Sequence, residues 1–130
     1  MVIVRFVRPI SCASCARLIV GLCVAVSFAQ AMAQTTSQNG RALFIEERKG
    51  NCIACHKTPT DASLKSASSI GPALESIKQK YPTPADRLRL RDAVRDLSKT
   101  NPATIMPPYG KHHILTEAEI DAIVAYLETL

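Results

Sequence analysis

The chain has 130 residues, enough for one domain. It is 47% hydrophobic with no tryptophan, and 16 basic residues stand against 11 acidic ones for a formal charge of +5. The basic residues form no cluster beside a recognisable reading element, which excludes a nucleic-acid-binding module.

The N-terminus has the order of an export signal. Arg5, Arg8 and Arg17 come first, 18–29 is an apolar run, and Ala31-Met32-Ala33 is a small-x-small cleavage site. Residues 1–33 therefore read as a signal peptide cut after Ala33, leaving 34–130 as the working domain. The run is about twelve residues long, against the roughly twenty that a spanning helix needs, so a retained anchor is the second reading. Cys12, Cys15 and Cys23 lie inside this segment. Cys12-Ala13-Ser14-Cys15 is followed by Ala16 and receives no function, and bulky Leu22 before Cys23 argues against lipid attachment. Loss of the three arginines lowers the formal charge from +5 to about +2.

After the cut, 35–40 is polar and reads as a frayed lead-in. Leu43 and Phe44 mark a first helix of about three turns, with Gly50 as its C′ residue. Then comes Cys52-Ile53-Ala54-Cys55-His56, a C-x-x-C-H run. At this spacing two thiols can join covalently to a haem while the adjacent imidazole binds its iron. C-x-x-C alone is shared with redox dithiols and zinc sites. Zinc is disfavoured because Cys52 and Cys55 are the only cysteines of 34–130 and a four-ligand site would need His56 plus distant His112 or His113. A thioredoxin-like dithiol wants a βαβ context, and no alternating strand pattern is present. Export together with haem attachment predicts the periplasm of a Gram-negative type cell.

Residues 58–69 are rich in Ser, Thr, Asp and Pro and read as an irregular loop. Pro72 can occupy the first position of a short helix bearing Leu74 and Ile77 and closed by Pro82. Thr83-Pro84-Ala85-Asp86 opens another, with a hydroxyl cap, proline at N1 and an acid at N3. Leu90, Ala93, Val94 and Leu97 recur along it at the spacing of one buried face. Arg87, Arg91 and Arg95 recur at i, i+4 and i+8. They read as a solvated face in preference to a contact with an acidic partner or with haem propionates. Residues 101–113 hold three prolines and a glycine and make a stiff loop around Met106. In the last helix Thr116 and Glu119 form a capping box, Leu115 and Ile120 a hydrophobic staple, and Ile120, Ile123, Val124 and Leu127 one apolar face. So short a domain has a thin core by itself, and a covalent haem would supply the missing apolar volume.

The iron ligand opposite His56 decides between carrying electrons and binding substrates. Met106 is the leading candidate. It is a soft thioether on a proline-stiffened loop and the only methionine of 34–130, whereas the alternative for any methionine is apolar gap-filling. His112 and His113 compete. The Pro72 carbonyl, next to Gly71, is the expected acceptor for the His56 Nδ1–H.

With the C-x-x-C-H run, Ile70-Gly71-Pro72 and Met106-Pro107-Pro108 in this order before a terminal amphipathic helix, the chain resembles a class I cytochrome c. That resemblance implies an all-α fold with N- and C-terminal helices packed around a covalently bound haem, His56 and Met106 on the iron, and electron transfer. Gly40 and Tyr126 match the glycine and aromatic that members pack between their first and last helices. The stretches 50–56, 70–74, 88–92, 101–110 and 114–127 together resemble SoxX, the monohaem subunit of the thiosulfate-oxidising SoxAX cytochrome. This implies a SoxA-like cytochrome subunit as partner, whose haem-bound cysteine is joined to thiosulfate with release of two electrons, and a downstream electron acceptor. With no spare cysteine, this chain would take up electrons and not itself be the catalyst. The other readings are a free electron shuttle to an oxidase or from another dehydrogenase, and a haem-based ligand sensor.

Overall fold

A computed structural model of the chain describes residues 36–65 and 68–130. The expected signal segment lies outside the described residues. Among the described residues four α-helices are present: α1 over 36–45, α2 over Ile77–Lys80, α3 over Pro84–Asp96 and α4 over Glu117–Leu127. Single 3₁₀ turns occupy Cys52–Ala54 and Leu97–Lys99, and the described residues contain no strand. The fold is all-α, as the sequence predicts. Among the described residues no helix is long and apolar enough to cross a membrane.

The two long helices begin where local chemistry says they should. Thr83 Oγ1 accepts from the Asp86 amide and the Asp86 carboxylate accepts from the Thr83 amide, with Pro84 at N1. Thr116 and Glu119 make the same reciprocal pair at the start of α4. Leu115 and Ile120, the staple partners, are both buried. α4 buries Ile120, Ile123, Val124, Tyr126 and Leu127, and α3 contributes Leu90 and Val94 to the same cluster.

α1 enters this core through a close approach. A Cβ on Gly40 would stand 1.9 Å from the Ala122 carbonyl oxygen and 3.0 Å from Tyr126 Cβ. Only a residue without a side chain lets α1 and α4 meet there, which outweighs the roughly 1 kcal/mol that glycine costs inside a helix. Phe44 then packs edge-on against Tyr126 at 5.3 Å between ring centroids.

Three sequence expectations need correction. The polar lead-in is helical from residue 36, and α1 ends at residue 45, so Gly50 is not its C′ residue. A turn intervenes, and the Gly50 amide reaches back to the Leu43 carbonyl at 3.1 Å. Pro72 starts no helix: 72–75 is irregular and α2 begins only at Ile77, behind Ser76 in the left-handed region at φ 53°. The arginine row of α3 is not a free solvated face. Arg91 bonds Glu117 and Asp121 at 2.6 Å each, Arg95 bonds Glu117 at 2.8 Å and Arg87 reaches Glu128 at 3.2 Å, so the row fastens α3 to α4.

Candidate functional site

The C-x-x-C-H run is shaped by its backbone. Asn51 sits in the left-handed region at φ 43° and turns the chain into the 3₁₀ turn Cys52–Ala54. The Cys52 carbonyl accepts from the amides of both Cys55 and His56, at 3.1 and 2.8 Å. Neither cysteine is in a disulfide. Burial pushes the Cys52 thiol up to about 12, the opposite of the lowered value that a redox-active dithiol uses. Among the described residues no group of three His, Cys, Asp or Glu side chains gathers to hold a bare metal ion.

His56 is fixed from two sides. Its Nδ1 donates to the Pro72 carbonyl at 2.8 Å, which leaves Nε2 as the nitrogen that could ligate a metal and would make the ring a better donor to it. A Cβ on Gly71 would fall 2.5 to 2.9 Å from the imidazole Cε1, Nδ1 and Nε2 atoms, so the ring occupies the space a side chain would need. The segment that carries this carbonyl is laced to the motif by backbone bonds, Gly71 N to Cys55 O at 2.8 Å and Leu74 N to Lys57 O at 2.7 Å.

Met106 lies on the irregular loop between α3 and α4. It is half-buried against the core cluster, as are Cys52, Ile53, Leu74 and Tyr81, and its amide donates to Thr104 Oγ1 at 3.1 Å. Its loop is tied to the motif by Tyr109, whose hydroxyl donates to the Gly50 carbonyl at 2.7 Å. Burial raises the Tyr109 phenol to about 12, which keeps it a neutral donor at any ordinary pH. Sequence reasoning missed Tyr109. Its place three residues after Met106 was visible, but nothing local signals a partner 59 positions away. The competing residues His112 and His113 are both exposed.

A covalent haem fits these residues. Two unbridged thiols stand on one tight turn, followed by an imidazole oriented by a carbonyl and wedged against a glycine. Ile70, next to Gly71 in the chain, and Ile105, next to Met106, are apolar side chains left 64% and 80% exposed. Cys52 and Cys55 would hold the macrocycle and His56 and Met106 the iron. The family model for cytochrome c matches residues 37–130, and the chain belongs to the cytochrome c family. No match was found among curated proteins.

As a cytochrome c the protein carries covalently attached haem c and exchanges electrons with partner proteins. The bound haem supplies a one-electron iron couple. The chain supplies the setting: the Pro72 carbonyl holds the His56 tautomer, and Met106, on its stiff loop, would offer a soft thioether of the kind that favours the ferrous state.

Proposed function

We propose that the protein is a SoxX-like electron-accepting subunit of a SoxAX complex that oxidises thiosulfate in the periplasm. Residues 1–33 are its export signal, Cys52 and Cys55 attach the haem, and His56 and Met106 ligate the iron. The observation that carries this reading is the block 101–110, Asn-Pro-Ala-Thr-Ile-Met-Pro-Pro-Tyr-Gly, followed by 114–127, which together resemble the C-terminal half of SoxX. Residues 34–130 have no cysteine beyond the haem pair, so a SoxA-like subunit carries the sulfur chemistry. Joining a thiol to thiosulfate forms one S–S bond and releases one proton and two electrons, which leave singly through this haem to a downstream acceptor.

The test is co-expression with a SoxA-like subunit in a host competent for c-type maturation. The expected result is a stable heterodimer with a mature N-terminus at Gln34, in which thiosulfate and the thiol acceptor reduce this haem. A monomer that ignores both the subunit and thiosulfate, yet exchanges electrons with an oxidase, replaces this reading with that of a free shuttle. The ligand assignment has its own readout. Met106→Ala should abolish the far-red charge-transfer band of the ferric protein and lower its potential, whereas His112→Ala and His113→Ala should change neither.

A further inference from the structure

Tyr109 joins the two halves of the site. It is 9% exposed, and its hydroxyl meets the carbonyl of Gly50, two residues before Cys52, at 2.7 Å. Its own carbonyl accepts from the amides of Ile114 and Leu115, at 2.9 and 3.1 Å, which anchors it to the lead-in of α4. The next residue, Gly110, donates to the Arg95 carbonyl of α3 at 3.0 Å. The loop bearing Met106 is thus fixed at its C-terminal end by backbone bonds, and a side-chain bond connects it to the turn that opens the attachment motif. An entirely local role would need no hydroxyl: phenylalanine would fill the same apolar space.

We propose that Tyr109 is a positioning residue for the distal iron ligand: its bond to the Gly50 carbonyl ties the Met106 loop to the haem-attachment turn and keeps the thioether on the ferric iron. This rests on Met106 being the ligand. A thioether is a soft donor and holds ferric iron more weakly than ferrous, so the oxidised protein depends most on the loop being held in place. Without the hydroxyl the Met-off state no longer gives up this bond, and an external ligand captures that state more easily.

The experiment compares holoprotein of wild type, Tyr109→Phe and Tyr126→Phe, using imidazole as the probe. Tyr126 is the control because its hydroxyl also makes one side-chain bond, at 2.8 Å, but to Asp61 and not to the motif. Removing one buried hydrogen bond of about 1 kcal/mol should raise the ferric affinity for imidazole about fivefold in Tyr109→Phe, with a weaker far-red band and a lower potential. Tyr126→Phe should lose thermal stability while its imidazole affinity and band stay at wild-type values. Equal imidazole affinity in Tyr109→Phe and wild type overturns the proposal, as does an equal increase in both variants. A wild type without the far-red band, insensitive to Met106→Ala, removes the ligand assignment and the tether with it. If Tyr109→Phe is not recovered with haem, reciprocity of coupling still gives a test in the wild type. Imidazole that displaces Met106 should lower amide-exchange protection at Ala54, Cys55 and His56 together with Gly110 and Ile114. Protection at 54–56 that imidazole leaves unchanged overturns the tether.

Discussion

The helical frame and the segments that carry the site are specified by different kinds of interaction. α3 and α4 start at capping boxes whose members lie three residues apart and bury faces that recur every three to four residues. The segments 46–76 and 101–115 have almost no regular structure. They hold their shape through single bonds between distant residues: His56 to Pro72, Leu74 to Lys57, Tyr109 to Gly50, and Ser76 N to the Leu130 carbonyl at 2.8 Å. All four end on a backbone carbonyl, so at least one partner of each pair is blind to side-chain identity. The starts of the two long helices are thus set within a turn of sequence, whereas the site segments depend on contacts that form only after the chain has collapsed.

The largest effect should come from removing the haem anchor. Cys52→Ser with Cys55→Ser should yield a chain that is rapidly proteolysed and lacks cooperative unfolding, because so short a domain has a thin core without a covalent haem. Residual helix in circular dichroism would then belong to the frame. A stable, cooperatively folding, haem-free double variant would show that the site segments stand by themselves and would erase the contrast.

Next in size is damage to the frame that leaves every site residue unchanged. Gly40→Ala places a methyl group 1.9 Å from the Ala122 carbonyl oxygen, where backbone and not a flexible side chain must yield. The expected cost is about 3 kcal/mol after the gain in helix propensity, lowering Tm by more than about 10 °C in the holoprotein. The far-red band should survive at low temperature, since the site's own bonds are intact.

How much of this was legible follows the same division. The starts and caps of α3 and α4, the staple of Leu115 and Ile120, and the loop around Met106 could be read because each depends on residues within a turn of one another. The match of Gly40 with Tyr126 came from resemblance, and the structure shows that the glycine's nearest neighbour is the Ala122 carbonyl. The helical state of 36–39 was missed because these residues are polar. Its end was missed because Gly50, which looks like a helix terminator, instead packs within 3.1 Å of Cys52 Sγ if given a Cβ. The short extent of α2 follows from Pro72 facing His56, and the pairing of the α3 arginines with Glu117 and Asp121 needs the helix register, which no single-chain pattern contains.

A smaller effect tests local coding by itself. Thr116→Ala removes the oxygen that accepts from the Glu119 amide at 3.2 Å, and should cost about 1 kcal/mol with haem attachment and spectrum unchanged. A change in the far-red band would mean that the start of α4 and the Met106 loop are one unit, sharpening the boundary between frame and site.

The smallest effect is a slope and not a loss, and it concerns a charged latch between the two regions. Asp61, in the loop after the haem motif, accepts from Arg41 Nε on α1 and from the Tyr126 hydroxyl on α4, each at 2.8 Å. The Arg41 guanidinium, the Ser63 hydroxyl and the Tyr126 hydroxyl hold its carboxyl well below the usual carboxylate range. The folded-state pKa therefore lies under the unfolded value, and the unfolded chain binds more protons in acid. The stabilisation is complete above about pH 4 and is lost as pH falls through the folded-state pKa. Glu117 and Glu119 are lowered by their own partners, Arg95 and Lys49 first, and contribute to the same acid slope. Asp61→Asn keeps an oxygen for Tyr126 but cannot titrate. Its Tm should thus lie below wild type at pH 7 and fall less steeply below pH 4, so that the two curves converge in acid. Parallel curves would mean that the latch carries no charge dependence and that the loop at 58–65 is held by the phenol alone.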